Sequence, residues 1–323
     1  MSITKERLYF KPFEYKWAYD YWFKQQNAHW LHTEINMQSD IKDWKENLSE
    51  KDKSVIGEIL KGFVQTETEV GNYWSTMVPE WFKVPEIKMM AQTFGAFETI
   101  HAVAYSYLNE ILELDDFKAF LEDEVTMNKL RGLMKVHYDN NRKYSIEEIA
   151  QSIAIFSAAA EGIQLFSSFA VLLSFRKFNL LKGIGQQMIF SIRDESLHSE
   201  AGCKLFRVLC EENPKLLLTI ENNIYNGILL ALENEFIFID KIFQKGDLTS
   251  ISKEQLKNFM KDRANRKLLE LGLNEKFKIN QDLLDEMNWF YMIISCEQQT
   301  DFFDNRETNY SKPNTDWDTE NLF

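Results

Sequence analysis

Four glutamates occupy positions where a helical core should be apolar, and their spacing constrains this chain more than any other feature. The stripe Ile56, Leu60, Phe63, Glu67, Val70, Trp74 has a helical period with a carboxylate in its middle, whereas Glu69 falls with Gly62, Gln65 and Thr66 and is expected to face away. A second stripe runs Ile87, Met90, Phe94, Glu98, His101, Tyr105, Leu108, Leu112, and a third runs from Met188 through Glu195 and His198 to Leu205 and Leu209. Glu161 interrupts the apolar run IAIFSAAAEGIQLFSSFAVLLSF. Of the five histidines (His29, His32, His101, His137, His198), only His101 and His198 have a carboxylate three residues earlier. At that spacing the two side chains of each pair share one helical face. The order is a duplication, a lone Glu followed by Glu-x-x-His, with 31 residues from Glu67 to Glu98 and 34 from Glu161 to Glu195.

An unpaired buried carboxylate is costly, so four of them on core faces call for compensating cations. One Glu from each of two helices plus Glu-x-x-His from each of two others is the ligand set of a dinuclear carboxylate site in a four-helix bundle. Four carboxylates balance two divalent ions. Oxygen and imidazole donors without thiolates suit iron or manganese and disfavour structural zinc. A lone Glu-x-x-His usually marks a solvated face, and a lone core glutamate is usually paired with an arginine. The interleaved set is not explained that way.

The rest of the chain agrees with an all-α fold. Only 12 Gly and 5 Pro occur in 323 residues, too few for the turns of a sandwich or barrel. Helical periodicity predicts helices over 15–26, 49–78, 85–113, 117–137, 145–175, 181–210, 214–243, 253–271 and 281–302, joined by short connections. Ser145 with Glu148 and Ser252 with Gln255 fit capping boxes, while Pro85 and Pro214 suit a first turn. Gly183 is expected to turn the chain between two long helices. No linker interrupts residues 1–303, which predicts one domain. Residues 304–323, DNRETNYSKPNTDWDTENLF, are polar and aperiodic and read as a mobile tail. The net charge of −13 argues against nucleic-acid binding. Cys203, Cys210 and Cys296 form no framework, which fits a reducing cytoplasm. The apolar run 153–175 contains Glu161 and Gln164 and reads as a core helix, not a membrane span, and the N-terminus has no signal core.

With these residues in place, the sequence resembles the radical-generating small subunit of class I ribonucleotide reductase. The resemblance rests on FETIHAVAYSYL (97–108), AEGIQLFSSFAVLLSF (160–175), IRDESLHSEAG (192–202), RANRKLLELGL (263–273) and the FF-containing segment with its tail. It covers essentially the whole chain and implies a ferritin-like helical bundle with a dinuclear metal site in its core. By resemblance, Glu67, Glu98 and His101 hold one metal, and Glu161, Glu195 and His198 hold the other. Tyr105 matches the position of the stable tyrosyl radical. Asp194 and Trp30 match the pair linking the metal-bound histidine to a long-range radical path, and Tyr310 matches a relay tyrosine in the tail. The terminal DWDTENLF resembles the acidic–aromatic segment that docks on the large catalytic subunit, whose cysteine reduces ribonucleotides. The resemblance also implies a homodimer. No glycine-rich phosphate loop occurs, as expected if substrate binds elsewhere, and the chain opens on the helical body without an appended nucleotide-sensing domain.

The sequence departs from the family at one ligand. Most members carry Asp where this chain has Glu67, and Glu there accompanies manganese/iron and dimanganese subgroups in which the oxidised cluster itself initiates. Retained Tyr105 points instead to a tyrosyl radical. The chain is most similar to the dimanganese subgroup activated by superoxide, with diiron and manganese/iron as alternatives. The competing functions are a stand-alone dimetal oxidase or oxygenase acting on a small molecule or lipid, and a metal-storage cage. Neither needs the Trp30–Asp194 relay or the tail. His29, His32 and His137 receive no role.

Overall fold

The computed structural model describes residues 2–114, 122–134 and 142–303, and among these every regular element is a helix. Helix α1 (Lys16–Asn27) and the short α2 (Gln38–Lys42) lead into α3 (Glu50–Asn72), which continues through a π-helical stretch, Tyr73–Met77, into α4 (Val78–Trp81). Next come α5 (Pro85–Ile111), α6 (Glu124–Met134) and α7 (Ile146–Ile155), which passes through a π-helical stretch, Phe156–Gln164, into α8 (Phe166–Ser174). Helices α9 (Lys182–Glu212), α10 (Leu216–Ile242), α11 (Lys253–Glu270), α12 (Gln281–Asp285) and α13 (Asn288–Phe303) complete the described chain.

Local chemistry fixes many of these ends. Ser145 and Ser252 cap α7 and α11 in the expected boxes, and Ser49 with Asp52 caps α3 in the same way. Pro85 occupies the first turn of α5. Pro214 does not begin a helix. It lies in the turn before α10, whose N-cap is Lys215. The predicted helix 281–302 is broken between α12 and α13, a bend that buries both Met287 and Phe290 and sets Phe290 edge-on against Phe259. The predicted helix 117–137 is seen as α6, and the rest of that range lies partly outside the described residues.

Gly183 does not make the turn into α9 either. Asn179 and Leu181 do so, with φ of 63° and 50°. Gly183 is helical and matters through close approach, because a Cβ there would meet Asn36 O at 2.9 Å. Its N–H and that of Ile184 donate to Asp40, and the Leu181 N–H donates to Asp43, so two buried aspartates from the α2 region cap α9 across the fold. That contact orients the helix carrying Glu195 and His198.

The core is one contiguous cluster that runs between α3, α5, the α7–α8 run and α9. Helices α3 and α5 pack closely at Gly71 and Gly95, where a Cβ on Gly95 would sit 2.9 Å from Gly71 O. The run Ile146–Phe178 contains an 18-residue stretch apolar enough to span a bilayer, but that stretch is 94% buried, so it serves as a central helix of the bundle.

Candidate metal centre

Each of the four central helices delivers its misplaced carboxylate to the same place. Glu67 on α3, Glu98 and His101 on α5, Glu161 on the π stretch, and Glu195 and His198 on α9 are all fully or almost fully buried. Donor atoms of Glu67, Glu98, His101 and Glu195 lie within 4.8 Å of one another, as do those of Glu98, Glu161, Glu195 and His198. Glu98 and Glu195 belong to both groups. Glu69 is half-buried and takes no part.

The histidines are oriented from behind. His101 presents Nδ1 to Glu98 at 2.9 Å and Glu195 at 3.0 Å, while its Nε2 faces Asp194 Oδ2 at 3.1 Å. The Trp30 indole N–H donates to that same Asp194 oxygen at 2.8 Å. His198 presents Nδ1 to Glu98 at 2.7 Å and turns its Nε2 to Gln25 Oε1 at 3.1 Å. The Gln25 amide N–H in turn donates to Asp194 Oδ1 at 3.0 Å. Both imidazoles thus have a partner for an outward Nε2–H, which leaves Nδ1 directed at the carboxylates. Arg193 donates to Asp194 and to the Ala28 carbonyl.

Electrostatics record how crowded the cluster is. Burial, followed by the Glu98 charge, raises the Glu67 carboxyl well above its ordinary range. Burial and then Glu195 do the same to Glu161, and burial and then Glu98 push Glu195 up to about 8. At Glu98 burial also raises, but His198 and His101 outweigh it and bring the carboxyl down to about 2. At His101 burial is outweighed by Glu98, Asp194 and Glu195, and the imidazole is raised. Both oxygens of Glu67 and both of Glu195 lack a hydrogen-bond donor, as does Oε2 of Glu161. Buried acceptor oxygens without donors, facing two imidazole Nδ1 atoms, are the donor set that two hard or borderline divalent cations would satisfy. The cluster therefore suits a dinuclear metal site.

Tyr105 is fully buried against Phe63, with ring centroids 4.7 Å apart, and its ring lies 6.2 Å from that of His101. Burial and then the Glu67 charge raise its phenol well above 10. Trp30 is 5.9 Å from the His101 ring, so Trp30, Asp194 and His101 form one connected path. Tyr310, Trp317, Leu322 and Phe323 lie outside the described residues, as does His137. His29 is exposed, and His32 packs on Tyr107 at 4.9 Å, away from the cluster. Gln25 and Trp74 were not singled out for a role by sequence. Gln25 is adjacent to Gln26 with nothing to separate them, and Trp74 reads as one more core aromatic on the Glu67 stripe.

A family profile described as "Ribonucleotide reductase, small chain" matches residues 7–283. The chain is 32% identical over 339 residues to the "Probable ribonucleoside-diphosphate reductase small subunit 048L" of Invertebrate iridescent virus 3, covering 98% of this chain and 88% of that one. It is 26% identical over 311 residues to the "Ribonucleoside-diphosphate reductase subunit beta" of Chlamydia pneumoniae, covering 93% and 88%. In solved structures, the fold is similar to the Streptococcus sanguinis dimanganese(II)-NrdF, with a TM-score of 0.73, 21% identity and coverage of 90% and 99%. It is also similar to the ribonucleotide reductase R2 subunit from Clostridium botulinum, with a TM-score of 0.77, 18% identity and coverage of 87% and 89%.

Proposed function

This chain belongs to the ribonucleotide reductase small-chain family, and from that membership we propose that it stores an oxidising equivalent for a separate large subunit that reduces ribonucleotides. The observation that carries the reading is the pair of overlapping four-residue groups that share Glu98 and Glu195, joined through His101 and Asp194 to Trp30. In this assignment Glu67, Glu98 and His101 hold one ion and Glu161, Glu195 and His198 the other, with Glu98 and Glu195 able to serve both. The proposed occupant is a pair of manganese ions, supported by Glu67 where most of the family has Asp; diiron and manganese/iron are the alternatives. Bound there, the pair supplies a redox couple strong enough to oxidise a buried aromatic side chain.

The chain's own residues do the rest. The apolar walls exclude water from the cluster. Asp194 accepts from Trp30 and faces His101 Nε2, so a proton at either atom has a fixed acceptor as an electron leaves Trp30. Tyr105, beside Glu67, is the candidate phenol to hold a radical. Residues 1–303 form the proposed domain, and residues 304–323 the proposed tail, with Tyr310 as relay and Trp317, Leu322 and Phe323 docking on the large subunit. A cytoplasmic homodimer is the proposed working form.

Metal analysis with electron paramagnetic resonance on the oxidised protein, beside Tyr105→Phe, tests the reading. Two ions per chain are expected, and Tyr105→Phe keeps substantial nucleotide reduction with the large subunit if the metal pair initiates. A narrow tyrosyl signal lost together with activity in Tyr105→Phe overturns the metal-initiated version. A wild-type chain that binds no metal, or that turns over a small molecule or lipid alone, overturns the whole.

A further inference from the structure

Trp74 is fully buried, and its indole N–H donates to Glu161 Oε1. The other oxygen, Oε2, has no hydrogen-bond donor and lies 3.9 Å from His198 Nδ1, on the cluster side. Glu67 and Glu195 have no such anchor on either oxygen. Glu161 is thus divided, with one oxygen tied to the protein and one facing the donor cluster.

Both partners sit on π-helical turns, Trp74 in Tyr73–Met77 and Glu161 in Phe156–Gln164. Such turns interrupt the ordinary helical ladder and recur at functional sites. The two are locked together by their neighbours. Tyr73 stacks on Phe156 with centroids 3.6 Å apart and rings 13° from parallel, and its hydroxyl is 2.8 Å from Ser152 Oγ. The Trp74 ring is boxed edge-on by Phe94 at 5.1 Å and Phe156 at 5.8 Å. On a third side it meets α9 at Gly202, where a Cβ would come within 3.3 Å of the indole. The indole is therefore held in one orientation, and its N–H direction is set before any ion arrives.

We propose that Trp74 is a positioning residue that holds Glu161 by Oε1 and turns Oε2 alone toward the ion on the His198 side. A carboxylate free to rotate can chelate with both oxygens or swing between neighbours. One tied by a rigid donor is restricted to a single-oxygen contact. The tie also satisfies the buried oxygen that the ion does not use.

This rests on the dinuclear reading above, and the experiment separates the two. Mn(II) is titrated anaerobically into metal-free wild type, Trp74→Phe, Trp74→His and Phe259→Leu, following free Mn(II) by electron paramagnetic resonance. Wild type binding two equivalents upholds the dinuclear reading, and binding none removes that reading first. With two bound, Trp74→Phe is expected to weaken one equivalent by about 10–100-fold and leave the other within about threefold. Trp74→His, which keeps a ring N–H, should recover part of that loss. Phe259→Leu removes buried ring packing against Phe290 and Tyr291 and touches neither Trp74 nor Glu161, so it should lower the melting temperature without moving either affinity. Should Trp74→Phe not fold, 3-benzothienylalanine at position 74 keeps the bicyclic shape without the N–H and is expected to give the same loss. Unchanged affinities in the donor-less protein, or an equal loss in Phe259→Leu, overturn the proposal.

Discussion

Taking the cations away should make this protein's stability fall as pH rises, and the cluster gives the size of the effect. Burial and then Glu98 raise the Glu195 carboxyl from 4.5 to about 8. A group that holds its proton more tightly when folded contributes its full stability below the unfolded pKa, and loses it as pH climbs through the folded value. From 4.5 to about 8, at about 1.4 kcal/mol per pH unit, Glu195 alone is worth on the order of 5 kcal/mol. Glu67 and Glu161 are raised by burial first and act with the same sign, as does raised His101 above its ordinary 6.5. Glu98 and Asp194 are lowered, so their contributions change only below the ordinary carboxylate range and leave this window alone. With an unfolding entropy of about 2.1 cal/mol/K per residue over the 323-residue chain, 5 kcal/mol corresponds to roughly 7 °C.

The assay is differential scanning calorimetry of chelator-treated protein at half-unit steps from pH 5 to 8, for wild type and Glu195→Gln. The glutamine cannot ionise, and about 3.5 kcal/mol of the wild-type contribution is lost between pH 5 and 8, so the wild-type melting temperature should fall by about 5 °C relative to the variant across that range. Excess Mn(II) should abolish the wild-type decline, because ionised carboxylates then face a cation and binding to the folded state alone adds stability. Parallel curves for the two metal-free proteins would refute the reasoning, since they would mean that Glu195 titrates alike in the folded and unfolded chains.

Gly95→Ala should destabilise the bundle by about 1–3 kcal/mol, read as a lower denaturant midpoint at constant slope. The added methyl would sit 2.9 Å from both Gly71 O and Ser75 Cβ, so backbone must move. In the tail, deleting residues 314–323 should weaken association with the large subunit, by calorimetric titration, while Mn(II) uptake is unchanged. Tyr310→Phe should bind the large subunit normally and stop turnover, because the ring survives and the oxidisable phenol does not; full turnover would take Tyr310 out of the path.

The parts of this site legible in the sequence share one physical property: each breaks an apolar pattern. Glu67, Glu98, Glu161 and Glu195 are conspicuous because carboxylates on core stripes are expensive, and helical phase says which face they take. The same phase separates Glu67 from Glu69, one buried in the cluster and the other half-buried outside it. Long helices were legible for a related reason, since 20 or more residues of consistent period leave little choice. The short α2 was not, having five residues and two charges, although its neighbourhood supplies the aspartates that cap α9.

Beyond Trp30 and Asp194, which resemblance supplied, the layer behind the ligands stayed hidden, because its side chains obey the pattern or belong to a helix without one. Helix α1 carries Trp17, Tyr19, Tyr21, Trp22 and Phe23 around its circumference, so aromatic residues do not mark a single inward face. Nothing then distinguishes Gln25, which is fully buried between His198 and Asp194, from exposed Gln26. Trp74 conforms to its stripe, and only the facing π turns disclose that its N–H reaches Glu161. The orientation of His198 and of Glu161 therefore depends on α1, which carries none of the four core carboxylates, and on turns that periodicity does not record, whereas His101 is oriented by Asp194 on α9. A change at Gln25 should act on both halves of the site at once. It touches the histidine assigned to one ion and the aspartate behind the histidine assigned to the other, so from outside the cluster it reaches both ions, as Glu98 and Glu195 do from within it.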